Sequence, residues 1–260
     1  SQYWWRYALG RISNSYCIQS SQKMNPDHAF YISPSSIVEG LFTLDKEESH
    51  HLSKVLRMNL GDEISLLDGV GTGYVGEIQT LGKRVSGKIN KRIPSLGENP
   101  AQIHLAMGII KRDRFELALE KATELGVQSI TPLLLDRCIK RSINMDRSRK
   151  HVQSASKQCR RSYFPTIHEP TSLEKWLQST KNETKIACLI GSNNSISALD
   201  LSGKHQTVHL VIGPEGDFSE NEIKLLIKND IIPATLGPRR LRTETAVISA
   251  LAILNEILLD

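Results

Sequence analysis

Between Val208 and Ala246 the chain runs VHLVIGPEGDFSENEIKLLIKNDIIPATLGPRRLRTETA. Two apolar runs, Val208 to Ile212 and Ile231 to Leu236, each break abruptly into glycine and proline, as Gly213-Pro214-Glu215-Gly216 and Gly237-Pro238-Arg239-Arg240. A helix start follows each break. Ser219 with Glu222 three residues on reads as a capping box, and Thr243 reads as the N-cap of the apolar segment after it. Strand, tight loop and helix are thus written twice, the signature of an α/β sheet. Such sheets bind ligands in loops at the carboxyl ends of their strands, where glycine lets a small molecule approach the backbone. A Gly-Pro pair alone only ends a strand. A matched pair followed by Arg239, Arg240 and Arg242 points to a pocket.

Charge and cysteine content narrow the setting. At 260 residues, with a formal net charge of +5, the chain is long enough for a sizeable core in one or two domains. The excess is concentrated. From Arg137 to Arg161 nine basic residues (137, 140, 141, 147, 149, 150, 157, 160, 161) stand against one acid, Asp146. A solvated helix face explains many charge runs, but this imbalance suggests a polyanionic partner. Cys17, Cys138, Cys159 and Cys188 show neither CxxC spacing nor a histidine at metal-site spacing, so they read as reduced thiols with no metal. No apolar run of about eighteen residues occurs, and no apolar signal-peptide core is seen at the front. A soluble cytoplasmic protein without a membrane partner is the expectation.

Residues 1–23 are aromatic-rich and aperiodic: a leader, an expression remnant or a translated upstream region, set aside from fold reasoning. Residues 24–93 read as short strands: Ala29 to Ile32, Ser65 to Asp68 ending in an Asp68-Gly69 turn, Tyr74 to Thr80, and Val85 to Ile93. Asp45 with Glu48 caps a single helix that runs to Arg57. Short strands around one helix suggest a small β-barrel. Its Lys83, Arg84, Lys88, Lys91 and Arg92 suit phosphate contacts or, equally, guard strand edges. His50 and His51 are adjacent on the helix and point about a hundred degrees apart, so they do not easily share one ion. The segment 94–100, PSLGENP, reads as a linker.

From 101 to 260 the rhythm is α/β. Ile103 to Ile110 is a strand. Asp113 with Glu116 caps a helix whose Phe115, Leu119, Ala122 and Leu125 form one stripe, Gly126 closes it, and Val127 to Leu135 is the next strand, giving a parallel βαβ unit. A basic helix from Arg147 to Ser162, a helix around Leu173 to Leu177 and a strand from Ile186 to Ile190 follow. The last helix, Ala246 to Leu259, is apolar on most faces and must be buried in the core or against a second subunit.

No nucleophile elbow, Walker loop, zinc motif or strand-to-helix GxGxxG is present. Chemistry-bearing groups remain at the two Gly-Pro loops, at Lys111-Arg112-Asp113-Arg114 after the first α/β strand, and at Arg242 with Glu244. All are placed at one carboxyl edge, although structural ion pairing also explains such charges.

Four blocks together, HHLSKVLRMNLGDEI, KRDRFELALEKATELGVQSITPLLLDRC, LVIGPEGDFSENEI and LGPRRLRTETAVISALAIL, resemble the small-subunit ribosomal RNA uridine-N3 methyltransferase family of the SPOUT superfamily. The resemblance spans about residues 28–258. It implies a PUA-like β-barrel, a C-terminal α/β domain threaded as a trefoil knot against the usual rule, S-adenosylmethionine as cofactor, a homodimer, and 16S ribosomal RNA or the small ribosomal subunit as partner. Cofactor contacts are implied at Ile190, Gly191, Ile212, Gly213, Pro214, Glu215, Gly216, Leu236, Gly237, Arg240, Leu241 and Arg242.

Methylation at uracil N3 needs a proton acceptor and cations near the developing anion. Arg112, Arg114 and Arg242 are candidates for anion stabilisation or phosphate grip, and Glu116, Glu124 and Glu244 for the base. Lys54, Arg57, Arg137, Arg160 and Arg161 are candidates for RNA contact. Arg160 stands where the family commonly has glycine, and His28-Ala29-Phe30-Tyr31 replaces a usual arginine before the first barrel strand. A non-catalytic ribosome-assembly factor, or a SPOUT enzyme with another RNA target, remains as an alternative.

Overall fold

The computed structural model describes residues 28–201 and 207–259; the segment 1–23 and residues 24–27 of the expected barrel lie outside the described residues. The first sheet contains β1 (Ala29–Tyr31), β2 (Ile37–Val38), β3 (Leu41–Thr43), β4 (Glu63–Leu67), β5 (Thr72–Thr80) and β6 (Ser86–Pro94), in the order β1-β4-β5-β6-β3-β2. β1 runs parallel to β4 and the other pairs are antiparallel. The β5–β6 ladder slips at Val75/Gly76 and again at Ile78/Thr80; such bulges bend and twist a sheet. The core packed with this sheet contains Phe30, Phe42, Leu44, Leu52, Ile64, Leu66, Ile78 and Val85. The helix between β3 and β4 is shorter than its pattern suggests. Asp45 caps α1 (Lys46–His50) by accepting from the Glu48 amide at 2.8 Å, after which the chain widens into a π-helical turn, His51–Val55.

The second sheet is wholly parallel. It contains β7 (Gln102–Gly108), β8 (Ser129–Leu133), β9 (Thr166–Ile167), β10 (Thr184–Cys188), β11 (Thr207–Ile212) and β12 (Ile232–Ala234), ordered β12-β10-β11-β7-β8-β9. Strands buried on both faces read as continuous apolar runs, and here both faces are covered. Ile103, Leu105, Met107, Leu210 and Ile212 meet α2 (Arg112–Glu124), α3 (Met145–Cys159) and α6 (Thr243–Leu259). Ala106, Leu133, Ala187 and Val211 meet α4 (Leu173–Ser179) and α5 (Glu220–Lys228) through Leu173, Trp176 and Leu226. α6 buries Val247, Ala250, Leu251 and Leu254 in the core, with Ile253, Ile257 and Leu258 only partly covered.

Helix starts differ from their sequence signals in two places. α2 begins at Arg112 after Lys111, with no side-chain cap, so the expected Asp113–Glu116 cap does not form. Glu116 is instead held by Arg147 from α3, at 2.5 and 2.9 Å. Thr243 is already helical, and its Oγ1 donates to the Gly213 carbonyl at 3.1 Å instead of capping α6. By contrast, the Ser219–Glu222 capping box forms reciprocally at α5.

One buried arginine joins the two sheets. Arg161, expected to contact RNA, is 2% exposed. Its Nη2 and Nε donate to Glu98 at 2.7 and 3.3 Å, and its Nη1 donates to the Thr123 and Val127 carbonyls at 2.9 and 2.8 Å. With four of its five N–H donors committed and the side chain enclosed, this guanidinium is out of reach of phosphate, and the basic run therefore ends inside the protein. Arg160, immediately before it, ends α3 in the left-handed conformation at φ 60°, which explains why glycine suits that position. The same junction includes Ser162 N donating to Leu96 O at 2.9 Å, Phe164 packed on Tyr31, and Lys157 of α3 bonded to the buried Glu48 at 2.6 Å.

At the amino edge of the parallel sheet His104 stacks on His209 with ring centroids 4.9 Å apart, and His104 Nδ1 lies 2.7 Å from Ser129 Oγ. Burial and the neighbouring His209 push the His104 pKa down to about 4.

Candidate active site

Because every strand pair in the second sheet is parallel, the exits of β7, β10, β11 and β12 share one edge. There the loops from Cys188 to Ser192, Ile212 to Asp217 and Thr235 to Leu241 enclose a cavity of about 570 Å³ together with Thr243 and Ala246. Ten residues expected at a cofactor site line it: Ile190, Gly191, Ile212, Gly213, Pro214, Glu215, Leu236, Gly237, Arg240 and Leu241. Gly216 and Arg242 are not in the lining. Leu189, Ser192 and Asp217 line the cavity as well without having been expected there, and Pro238 and Arg239, expected beside a pocket, are part of its wall. All five sit one or two positions from the loop glycines.

The central loop is fixed from below and from both ends. A Cβ on Gly108, at the end of β7, would lie 2.7 Å from the Pro214 nitrogen, so only glycine lets the strand end pass beneath that peptide. The Thr243 hydroxyl holds Gly213 O, and Arg137 Nη1 donates to Gly216 O at 2.7 Å. Ser219 Oγ donates to Asp136 Oδ2 at 2.6 Å, while the Asp136 amide donates to Glu222 Oε1 at 2.8 Å. Arg137 therefore already has one N–H committed to the loop. In the last loop Gly237 has φ 106°, a conformation that side chains disfavour.

Charges at the rim divide into paired and loosely paired groups. Arg114 lies between two carboxylates, its Nη1 3.7 Å from Glu215 Oε1 and its Nε 3.7 Å from Glu244 Oε1. Both carboxyl oxygens of Glu215 and Oε2 of Glu244 are buried without a hydrogen-bond partner. Arg112 is exposed and faces Asp113 and Glu116 at 3.5 and 3.9 Å. Of the expected bases, Glu116 is held by the Arg147 guanidinium, whose hydrogen bonds pull its carboxyl below the usual range. Glu124 is bonded to Lys121 at 2.8 Å on the helix surface. Glu244, 6% exposed, stands between the lining residues Thr243 and Ala246. Cys188 lines the cavity, but burial drives its thiol up to about 12, which keeps it protonated and inert.

The remaining RNA candidates separate by place. Lys54 and Arg57 are exposed at the π-turn of the first sheet, Arg137 and Arg242 are exposed at the cavity edge, and Arg160 is half-buried. Among the described residues no group of three His, Cys, Asp or Glu side chains could hold a metal, and no helix is long and apolar enough to cross a membrane.

Comparison with known proteins places this geometry. A family profile described as an RNA methyltransferase domain matches residues 97–255, and one described as an RNA methyltransferase PUA domain matches residues 44–88. Ribosomal RNA small subunit methyltransferase E of Buchnera aphidicola (Schizaphis graminum) is 35% identical over 84% of this chain and 91% of its own length. The protein of the same name from Bacillus subtilis is 30% identical over 82% of this chain and 89% of its own. The crystal structure of Neisseria gonorrhoeae ribosomal RNA small subunit methyltransferase E bound to S-adenosyl methionine superposes with a TM-score of 0.81 at 29% identity, over 88% of this chain and 97% of that one. A Legionella pneumophila structure in complex with the cofactor SAM gives a TM-score of 0.76 at 32% identity, over 88% and 96%. With a family profile matched over residues 97–255 and nearly the full length of these relatives covered, the chain belongs to the RNA methyltransferase family that contains ribosomal RNA small subunit methyltransferase E.

Proposed function

We propose that this protein methylates N3 of a uridine in 16S ribosomal RNA with S-adenosylmethionine as methyl donor. The observation that carries the reading is the cavity built by three strand-exit loops, with Glu215, whose carboxylate oxygens have no hydrogen-bond partner, at its wall. The lining fits the cofactor. About 570 Å³ falls within the range of small-molecule sites, Leu189, Ile212, Leu236 and Leu241 supply apolar walls for an adenine, and the positions where Gly191 and Gly237 would carry a Cβ are open. When bound, the cofactor supplies an electrophilic methyl group on a positively charged sulfur.

The chain's own residues do the rest. The loops 190–191, 212–216 and 236–242 hold the donor, and Arg112 and Arg242 grip phosphate or the developing uracil anion. N3 lies on the base-pairing edge, so the target must be unpaired or splayed out to react. Lys54, Arg57, Arg137 and Arg160, with the exposed basic groups of α3, grip the flanking backbone. The reading extends to a trefoil crossing of the loops after β10, β11 and β12, to cytoplasmic action, and to a homodimer that covers Ile253, Ile257 and Leu258 of α6. Light scattering tests the dimer directly.

Titration calorimetry with S-adenosylhomocysteine should show binding in the micromolar range. Methyl transfer to 16S ribosomal RNA from a strain lacking this modification, mapped by mass spectrometry, should place the group on a uridine base. Absence of both heat and transfer would leave an assembly factor without catalysis.

A further inference from the structure

We infer that the Glu215 carboxylate accepts the N3 proton of the bound uracil and, with Arg114 beside it, selects uracil over cytosine. The assignment rests on the proposed function and deepens it by naming the proton acceptor.

Elimination leads to this group. Among the described residues the carboxylates that line the cavity are Glu215 and Asp217. Asp217 Oδ1 already accepts from the Phe218 amide at 2.8 Å. Glu222 is committed to the α5 capping box and to Asp136, and Asp136 to Ser219. Glu116 and Glu124 are bonded to Arg147 and Lys121, as described above. Glu215 is the cavity carboxylate whose two oxygens have no hydrogen-bond partner, although both are shielded from solvent. Buried polar oxygens are normally hydrogen-bonded, and the 3.7 Å contact with Arg114 supplies charge but no hydrogen bond, so part of the desolvation cost stays uncompensated. A donor supplied by a ligand removes that cost.

Charge and pattern agree with the assignment. Arg114 from α2 faces both Glu215 and Glu244, the latter from α6, and Arg239 and Arg240 line the same cavity. One guanidinium at 3.7 Å from each of two carboxylates makes no hydrogen bond to Glu215, whose oxygens stay open to an N–H donor. Uracil presents N3–H between two carbonyl acceptors. A carboxylate acceptor beside a guanidinium with spare donors complements two adjacent members of that set. Cytosine presents a bare N3 acceptor, which a carboxylate repels. In the step itself the N3–H bond breaks and the proton passes to Glu215 Oε. The lone pair freed on N3 forms the new N–C bond, and the electron pair of the broken S–C bond stays on sulfur. Glu215 then returns the proton to water.

The test compares Glu215→Gln with the wild type in two readouts, affinity for S-adenosylmethionine and S-adenosylhomocysteine and the rate of methyl transfer against pH. Both affinities should stay within about twofold, and transfer should fall by roughly 10²- to 10⁴-fold, the usual contribution of a general base. The residual rate should climb in proportion to hydroxide as N3 ionises unaided. Glu215→Asp should recover part of the rate with the wild-type pH profile, and it serves for the same readouts if the Gln variant fails to fold. Wild-type transfer by Glu215→Gln overturns the assignment. So does a loss of affinity confined to S-adenosylmethionine, which would make Glu215 the counter-charge of the sulfonium, and so does loss of both ligands. A wild-type protein inert in both readouts overturns the functional reading and this assignment together.

Discussion

Arg161 and Arg114 are both arginines set against glutamates, yet they are built to opposite ends. Arg161 is enclosed, and its guanidinium spends four hydrogen bonds of 2.7 to 3.3 Å on Glu98, Thr123 and Val127. Arg114 makes only 3.7 Å ion-pair contacts, beside carboxylate oxygens that have no partner. Near-complete bonding suits a joint that must not move. The unbonded Glu215 oxygens belong instead to a residue of the cavity wall, where a ligand can supply the missing donor.

Breaking each arginine should therefore affect different quantities. The largest effect is expected for Arg161→Ala, which leaves the Glu98 carboxylate with only the Tyr163 amide and the Gln128 side chain as donors and should cost about 3–5 kcal/mol in urea unfolding, the usual loss when one partner of a buried pair is removed. Replacing both Arg161 and Glu98 by leucine or methionine should recover much of that loss. Arg114→Ala comes next. Methyl transfer should fall about 10²- to 10³-fold, as when one preorganised donor is removed from a site, while the loss of unfolding free energy stays well below that of Arg161→Ala because Arg114 makes only 3.7 Å contacts. An Arg114→Ala protein that unfolds as readily as Arg161→Ala would erase the distinction between the two.

Two smaller effects bound the comparison. Gly108→Ala pushes a methyl group against the Pro214 nitrogen and should cost about 1–3 kcal/mol, as overpacking does, together with measurable loss of S-adenosylhomocysteine affinity. The smallest effect lies at the opposite edge of the sheet, away from both arginines. The folded His104 pKa is lowered from 6.5 to about 4, so the neutral ring is the stabilising form. Its contribution is complete above pH 6.5 and is lost as pH falls from there toward 4. His104→Gln should flatten the decline of the melting temperature in that window and leave ligand binding at pH 7.5 unchanged.

The parts legible in the sequence were those that rest on local backbone chemistry. Gly213-Pro214 and Gly237-Pro238 end strands because of their own dihedral limits, and Ser219 with Glu222 closes a box within one turn. Ten lining residues could be named on that basis and on family resemblance. What escaped depends on partners far along the chain. Arg161 sits in a basic run and reads as solvent-facing until Glu98, 63 positions earlier, is seen against it. Glu116 has the spacing of a cap with Asp113, but Arg147 from another helix outcompetes that role. Glu215 was placed in a cofactor loop by the residues around it, and no sequence pattern reports that its oxygens lack partners. Thr243 has the look of a cap because a hydroxyl precedes an apolar run, whereas its hydroxyl ties the start of α6 to the loop after β11.

The strand order of the parallel sheet has a consequence for how the protein is made. β7 lies at the interior between β8 and β11, and Leu105 pairs with Leu210, 105 positions later in the chain. During synthesis the first sheet can close on itself, whereas β7 must wait with one edge bare until its neighbour emerges. Pairings of such separation form slowly and leave aggregation-prone edges open meanwhile. The cavity arrives later still, since Thr235 to Leu241 and Thr243 are needed to wall it. A nascent chain halted between β6 and α6 would thus own the strands of the first sheet and no enclosed place for a methyl donor, so catalytic capacity waits for the loop after β12 and the start of α6.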